Sequence, residues 1–275
     1  MTQPRKTLLL NIPVTTRLPW AVFEHGKLKS EGHCLALEQA DGVVEIPPSA
    51  FAALLLEPGI SITHDAVKLC SENSTMLIWI GEGGTQIYSA GNMDCKPGNL
   101  IRQAQLQTNT NARIEAARRM YRVMFNENIP PSYSIEKLRG LEGAKVKAWY
   151  SQNAKLCGLE WTGKSSNDAL SQAMAYANGC LYALCEIAIR ILGYSPSLGI
   201  VHSGNKRSMV YDLADTLKFN GFLQAVMQEH KTNGAHEYPE IRRFCRDHFR
   251  KTALLQNAID NMRIIFDDTD CIDIE

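Results

Sequence analysis

The chain has 275 residues, of which 45% are hydrophobic and 21% charged, with 29 basic and 29 acidic side chains in balance. These proportions are those of a globular protein large enough for one or two hydrophobic cores. No run of about 18 apolar residues occurs, and the apolar stretch near the start is too short for a secretory signal. We therefore expect a cytoplasmic protein with no membrane partner, whose eight cysteines stay reduced.

The charges are distributed unevenly along the chain. Residues 1–90 carry six Lys and Arg against nine Asp and Glu, residues 91–259 carry 22 against 14, and residues 260–275 carry one against six. Overall neutrality therefore hides a basic body between two acidic ends. A basic body of this kind favours a polyanion, such as a nucleic acid, over a small ligand.

The first ninety residues are predicted to be mainly β structure. Short runs, many of them rich in β-branched and aromatic residues, are separated mostly by Gly, Pro, Asp or Asn, which is the pattern of strands joined by turns. Two stretches, residues 52–58 (AALLLEP) and 64–73 (HDAVKLCSEN), look instead like short helices. The runs predicted as strands are TLLLNIPV, AVFEHGKLKS, CLALEQ, GVVEIP, ISITHDAV, TMLIWIGE and TQIYSAG.

The hydrophobic period becomes helical after residues 91–99 (GNMDCKPGN), which we interpret as a linker. The predicted fold class is therefore α+β, with an N-terminal β-rich domain over residues 1–90 and a C-terminal all-α domain over residues 100–263. An acidic tail follows at residues 264–275. Because the tail mixes acidic with apolar residues, we expect it to order on a partner protein, as an added strand at a sheet edge or otherwise; a frayed terminus is the alternative.

The longest predicted helix is the spine of the all-α domain. Apolar residues recur at helical spacing from Leu170 to Ile191. Asn167 or Asp168 is a plausible cap at its start, and Gly193 is a plausible stop. A second apolar series, over residues 114–124, predicts another helix earlier in the same domain.

The stretch RSMVYDLADTLKF, residues 207–219, carries two carboxylates at helical spacing. Its apolar residues cluster on one face, while Asp212 and Asp215 share the opposite face with Tyr211 and Lys218 beside them. Two carboxylates three positions apart can bind one cation. Acidic residues in a first helical turn can also complement the helix dipole and face water, and these two residues alone favour that interpretation.

A histidine and a glutamate are the other candidate ligands. His202 follows an apolar pair, as if leaving an extended segment, where a single histidine is more often structural than a ligand. Glu142 lies between Gly140 and Gly143, and glycines in a helical segment cost roughly 1 kcal/mol each relative to alanine. Close approach of another backbone or of a substrate would explain the glycines, and so would a helix that begins near residue 141.

Together these side chains form an oxygen-rich site with one imidazole, which suits Mg²⁺ or Mn²⁺ better than structural zinc. A hard divalent ion among Arg and Lys side chains is typical of phosphodiester chemistry, because the metal activates the attacking oxygen and neutralises charge on the phosphate. The pattern therefore predicts a metal-dependent enzyme acting on nucleic acid. Two other classes stay open: a DNA-binding scaffold with little catalysis of its own, and a metal-dependent hydrolase of a small phosphorylated ligand.

Five motifs occur in order between residue 1 and about residue 255: LEPGISITHDAVKL, IWIGEGGTQIYSAG, LRGLEG, CLYALCEIAI and GYSPSLGIVHSGNKRSMVYDLAD. In this order they resemble the CRISPR-associated integrase, the universal spacer-acquisition endonuclease, in its type I E-subtype form. The resemblance implies an N-terminal β domain for dimerisation and DNA contact and a helical catalytic domain. It also implies that Glu142, His202 and Asp215 bind Mg²⁺ or Mn²⁺, with Asp212 as a supporting catalytic carboxylate.

The resemblance further implies an activity and its partners. The activity is the joining of protospacer DNA 3′ hydroxyls to the repeat ends of a CRISPR array, in adaptive immunity against foreign DNA. The implied partners are double-stranded DNA, a second copy of the chain in a homodimer, and the small ferredoxin-like CRISPR-associated adaptation protein. The residues predicted to contact DNA are Arg139, Tyr182, Lys206, Arg207, Tyr211, Lys218, Arg242, Arg243 and Arg246.

Overall fold

The computed structural model describes residues 17–81, 87–91, 97–161, 168–234 and 237–267. A six-stranded mixed sheet is followed by a set of helices, which confirms the predicted α+β class. The first predicted strand, TLLLNIPV, lies outside the described residues. Within the described ranges, none of the helices combines the length and the apolar character that crossing a membrane requires.

The sheet consists of β1 (Leu18–Glu31), β2 (Cys34–Gln39), β3 (Gly42–Ile46), β4 (Phe51–Ile62), β5 (Met76–Ile80) and β6 (Ile87–Ala90). Their order is β3-β2-β1-β4-β5-β6. The central pairs β1–β4 and β4–β5 are parallel, and the outer pairs are antiparallel. Helix α1 (His64–Glu72) connects β4 to β5 and is capped by the Thr63 side chain, which confirms the helix predicted over residues 64–73.

The helix predicted for residues 52–58 is wrong, because these residues lie in β4. Ala53 and Leu55 pack against the helical part of the chain, whereas Leu54 and Leu56 belong to the smaller core under α1. A central strand that is covered on both faces forms a continuous apolar run rather than an alternating one. Periodicity alone does not distinguish such a run from a short buried helix.

The helical part consists of α2 (Pro97–Thr108), α3 (Thr110–Phe125), α4 (Ile135–Leu156), α5 (Ala169–Ile191), α6 (Ser208–Leu217), α7 (Leu223–Asn233), α8 (Tyr238–Lys251) and α9 (Leu254–Phe266). The predicted spine is α5, which is about 35 Å long at ~1.5 Å per residue and packs against α6, α7, α8 and α9. Of the two predicted caps, Asp168 is the one that caps its start, by accepting a hydrogen bond from Ser171, and the predicted stop Gly193 follows its end with a φ of 75°.

One hydrophobic core continues from the sheet into the helices. Trp20 of β1 meets Phe249 of α8 edge to face, with ring centroids 5.1 Å apart. The last strand ends at Ala90 and α2 begins at Pro97. The predicted linker, residues 91–99, therefore includes the first residues of α2.

The predicted acidic tail, residues 264–275, overlaps the end of α9. Ile265 and Phe266 are buried, at 0% and 2% exposure. The Arg119 Nε donates a hydrogen bond of 2.9 Å to the Ile265 carbonyl, which attaches this end of the helix to α3. The prediction that a partner orders the tail is therefore wrong for residues 264–266, which belong to α9 of this chain. Residues 268–275 lie outside the described residues.

Candidate functional site

Asp212 attaches the extended segment that precedes α6 to that helix. Its side chain is fully buried, at 0% exposure. The carboxylate accepts hydrogen bonds from the backbone N–H groups of Ile200, Val201 at 3.1 Å and His202 at 3.0 Å. Because neither aspartate of α6 lies in its first turn and both are buried, the interpretation that they complement the dipole and face water is wrong.

The same carboxylate orients the imidazole of His202. The His202 Nδ1 lies 2.8 Å from Asp212 Oδ1, and the ring is half-buried. A carboxylate accepts this hydrogen bond, so Nδ1 carries a proton, and in the neutral imidazole Nε2 keeps its lone pair. The hydrogen bond to Asp212 raises the pKa of His202, against the lowering effect of burial, and so favours the imidazolium form. In the neutral form, Nε2 is the atom of this histidine that is able to bind a metal.

Asp215 forms a buried ion pair with Lys218. The Lys218 Nζ lies 2.7 Å from Asp215 Oδ1 and donates a second hydrogen bond, of 3.1 Å, to the Tyr182 hydroxyl. Asp215 and Lys218 are 8% and 9% exposed. Burial alone would lower the pKa of Lys218, but Asp215 and Tyr182 outweigh it and raise that pKa. Lys218 therefore stays charged and neutralises part of the negative charge at Asp215.

Glu142 lies in the middle of α4, which begins at Ile135, so the prediction of a helix start near residue 141 is wrong. Gly140 and Gly143 both lie inside the helix. Apart from the backbone of its own helix and its chain neighbours, a Cβ atom added at either glycine would meet no atom of the described residues within 4 Å. Close approach of another part of this chain therefore does not explain the glycines, and the space beside Glu142 is open.

The Glu142 carboxylate is held from α3. Its Oε2 accepts a hydrogen bond of 2.6 Å from the hydroxyl of Tyr121. Burial raises the pKa of Glu142, and the charges of Asp215 and Asp212 raise it further, against the opposing effects of Tyr121 and His202. Through these mutual effects, residues from α3, α4, the segment before α6 and α6 itself form one electrostatic group.

Glu142 and His202 open onto a common cavity of about 470 Å³. Arg139 and Lys147 line it as cations, and Trp161 contributes an aromatic wall. Trp161 was not predicted as a site residue, because it lies beyond the end of α4 and outside the sequence motifs that contain the carboxylates. The cavity thus combines candidate metal ligands with positive charge, which is the combination that a phosphate ester requires.

The donor types of this group fit a hard divalent cation. Three carboxylates, one imidazole and one ammonium group leave an excess of negative charge, and oxygen donors with one imidazole suit Mg²⁺ or Mn²⁺. Each side chain also has a partner of its own: Glu142 has Tyr121, His202 has Asp212, and Asp215 has Lys218. In the part of the chain that the structure describes, no three His, Cys, Asp or Glu side chains are already arranged as a metal site. The ligand set stays a prediction.

The residues predicted to contact DNA fall into two groups, of which the first borders the carboxylates. The rings of Tyr182 and Tyr211 lie 5.2 Å apart, edge to face, and Tyr211 lies 5.8 Å from the His202 ring. Lys206 is exposed on the loop before α6. Arg207 lies 3.8 Å from the buried Glu186 of α5. This group forms an aromatic and basic rim around the candidate site.

The second group is on α8. Arg242, Arg243 and Arg246 line a cavity of about 380 Å³ against the aromatic rings of β1 and β4. Arg243 and Arg246 are exposed, whereas Arg242 pairs with Glu57 at 3.3 Å and also with Glu24. One narrow cavity has residues of both groups in its lining, Tyr182, Arg207 and Arg242.

Comparison with known proteins identifies the family of this chain. The model of the family described as CRISPR associated protein Cas1 matches residues 20–126 and 122–232. The CRISPR-associated endonuclease Cas1 of Escherichia coli (strain K12) is 33% identical over 257 residues, which cover 90% of this chain and 84% of that protein. The protein of the same name from Geobacter sulfurreducens is 33% identical, with 94% and 87% covered.

The solved structures agree with the sequence comparison. The crystal structure of a TtCas1–DNA complex superimposes with a TM-score of 0.71 at 29% identity, covering 92% of this chain and 97% of that one. A CAS1 protein from Thermotoga maritima has the same fold, with a TM-score of 0.71 at 14% identity over 90% of this chain and 96% of that one. Because the family model matches most of the chain and relatives above 30% identity match it nearly throughout, this chain belongs to the Cas1 family of CRISPR-associated proteins.

Proposed function

We propose that this chain is a metal-dependent DNA endonuclease and integrase that joins protospacer DNA 3′ hydroxyls to the ends of CRISPR repeats. The observation that carries the proposal is the single cavity onto which Glu142 and His202 open between Arg139 and Lys147. The relatives named CRISPR-associated endonuclease Cas1 support the activity. The TtCas1–DNA complex supports DNA as the substrate.

Glu142, His202 and Asp215 would hold the metal ion, the histidine through Nε2. A bound Mg²⁺ or Mn²⁺ would polarise the scissile phosphate and activate the attacking oxygen. Asp212 keeps the imidazole in the required tautomer and orientation through the 2.8 Å contact with Nδ1. Lys218 limits the negative charge that an approaching phosphate meets, because it pairs with Asp215.

In the joining reaction, the 3′ hydroxyl oxygen of the protospacer forms a bond to a phosphorus at the end of the repeat. At the same time, the bond from that phosphorus to one bridging oxygen of the existing phosphodiester breaks. The leaving oxygen takes up a proton, and the number of phosphodiester bonds is unchanged. The reaction is a transesterification, so it needs neither a protein nucleophile nor an external energy source. The chain has to hold two DNA ends and arrange charge around one phosphate, and the rim of arginines, lysines and tyrosines is suited to that role.

The remaining parts of the proposal concern assembly. A homodimer and a complex with the small ferredoxin-like CRISPR-associated adaptation protein would place two such sites on one protospacer. The type I E-subtype assignment belongs to the same proposal. It is supported by the two motifs of the β-rich part, LEPGISITHDAVKL and IWIGEGGTQIYSAG, together with the Escherichia coli relative.

The proposal is tested by strand transfer of a labelled DNA duplex into a plasmid that carries a CRISPR repeat, with the adaptation protein present. We expect joined product with Mg²⁺ or Mn²⁺ and none when the ions are removed with EDTA. DNA binding, followed by fluorescence anisotropy, should persist in EDTA because it depends on Lys and Arg. A duplex with 3′-dideoxy ends is the matched control and should not be joined. DNA binding without any ion-dependent cleavage or joining would indicate a scaffold and contradict the proposal.

The α8 arginines provide a prediction about DNA affinity. We expect the double variant Arg242→Ala/Arg243→Ala to bind DNA more weakly and to flatten the log–log salt dependence of the binding constant by roughly 0.9 for each phosphate that is no longer neutralised. Arg242→Ala alone should also lower the unfolding temperature, because it removes the cation between Glu24 and Glu57. Lys68→Ala removes one charge from α1, on the opposite face of the sheet, and should leave the salt dependence unchanged. An unaltered affinity and slope in the double variant would remove α8 from the DNA surface.

A further inference from the structure

Tyr121 is a buried polar residue at the base of the candidate site. It lies on α3 with 0% exposure, and its hydroxyl is 2.6 Å from Glu142 Oε2 on α4. The sequence pattern placed Tyr121 only in an apolar helical series. A phenylalanine would fill the same space, so packing alone does not explain the hydroxyl group.

The position of the hydroxyl is determined by the core. Ala117, Met120 and Met124, on the same helix, are all buried, and the Phe125 ring stacks on Tyr121 at a centroid distance of 5.8 Å. A tyrosine side chain has two rotatable bonds, and packing on this scale leaves one orientation for the ring. The hydroxyl therefore presents a donor at one fixed point, whereas a glutamate side chain that extends from a helix into open space has several rotamers.

The contact fixes one oxygen of the Glu142 carboxylate. The Tyr121 hydroxyl donates its hydrogen bond to Oε2 over 2.6 Å, and a carboxylate has a second oxygen with acceptor sites of its own. The hydroxyl occupies Oε2 and leaves Oε1 available to a cation.

We infer that Tyr121 is a positioning residue, which holds the Glu142 carboxylate in the orientation that a divalent ion requires. This inference rests on the proposed metal-dependent function. Tyr121 touches neither substrate nor metal and acts only through Glu142. Partners that orient metal ligands in this way typically change metal affinity by roughly 10–100-fold when they are removed.

The test compares Tyr121→Phe with Tyr194→Phe in the full-length protein. Tyr194 is also buried and stacks on Phe266, at a centroid distance of 4.3 Å. Mn²⁺ binding is measured by calorimetry and by electron paramagnetic resonance, in the absence of DNA. We expect Tyr121→Phe to bind Mn²⁺ at least roughly tenfold more weakly than the wild type, with a lower kcat and an unchanged affinity for DNA. Tyr194→Phe should bind Mn²⁺ as the wild type does.

A double-mutant cycle separates positioning from a general effect on folding. In a Glu142→Ala background, Tyr121→Phe should cause no further loss of Mn²⁺ affinity, because the side chain through which it acts is gone. Wild-type Mn²⁺ affinity in Tyr121→Phe, or an equal loss in both backgrounds, would overturn the inference while leaving the proposed function intact. Absence of Mn²⁺ binding by the wild-type protein would overturn the proposed metal site and the inference together.

Discussion

Replacing any one of Glu142, His202 and Asp215 by alanine is expected to abolish the joining of DNA ends. Each substitution removes one of the three donors proposed for the metal, and a site of this kind has few other protein ligands to compensate. The measurement is the strand-transfer assay with Mg²⁺ or Mn²⁺ and the adaptation protein. Glu72→Ala, which removes an exposed carboxylate of α1, is the control and should retain full activity.

The same three variants should keep their affinity for DNA. Binding depends mainly on Lys and Arg side chains away from the carboxylates. Because a removed carboxylate would have faced a phosphate, its loss should leave DNA affinity unchanged or raise it. Asp215→Ala is the least conservative of the three, because it leaves Lys218 buried without its carboxylate; Asp215→Asn is the gentler version. Near-normal joining by any of the alanine variants would refute the ligand assignment.

Asp212→Ala is expected to damage the fold as well as the activity. The Asp212 carboxylate accepts hydrogen bonds from three consecutive backbone N–H groups and from the imidazole. Removing it leaves those donors without an acceptor in the interior, at roughly 1–3 kcal/mol for each unsatisfied group. We expect the free energy of unfolding to fall by at least about 3 kcal/mol, the lower end of that range applied to the three backbone N–H groups, as measured by urea denaturation.

His202→Ala is the matched control for this effect. It removes the imidazole but leaves the three backbone hydrogen bonds to Asp212 in place, so its free energy of unfolding should fall by less than about 1 kcal/mol, the net value of a typical hydrogen bond. His202→Ala should be inactive in joining, and Asp212→Ala should be impaired. Equal stability of Asp212→Ala and the wild type would show that Asp212 does not hold the segment before α6.

The amino-acid sequence was sufficient for the features that depend on neighbours along the chain. The apolar series of α5, a cap at Asn167 or Asp168 and the stop at Gly193 were predicted from residues within one or two turns of each other, and Asp168 is the cap in the structure. The α+β order followed from the change of hydrophobic period near residue 91. The ordered motifs around Glu142 and His202 identified the family, because motif order is itself a property of the linear chain.

Tertiary structure decided how the site is held together. The spacing of Asp212 and Asp215 places both on one side of α6. Only the packing of the segment before α6 against this helix makes Asp212 a buried acceptor of backbone hydrogen bonds. In the same way, only the contact between α3 and α4 brings the Tyr121 hydroxyl to Glu142. Residues 52–58 of β4 were mistaken for a helix, because the burial of both faces of this strand depends on two parallel neighbours and two cores. Local patterns encode period and caps, whereas burial and hydrogen-bond partners depend on segments that meet only when the chain folds.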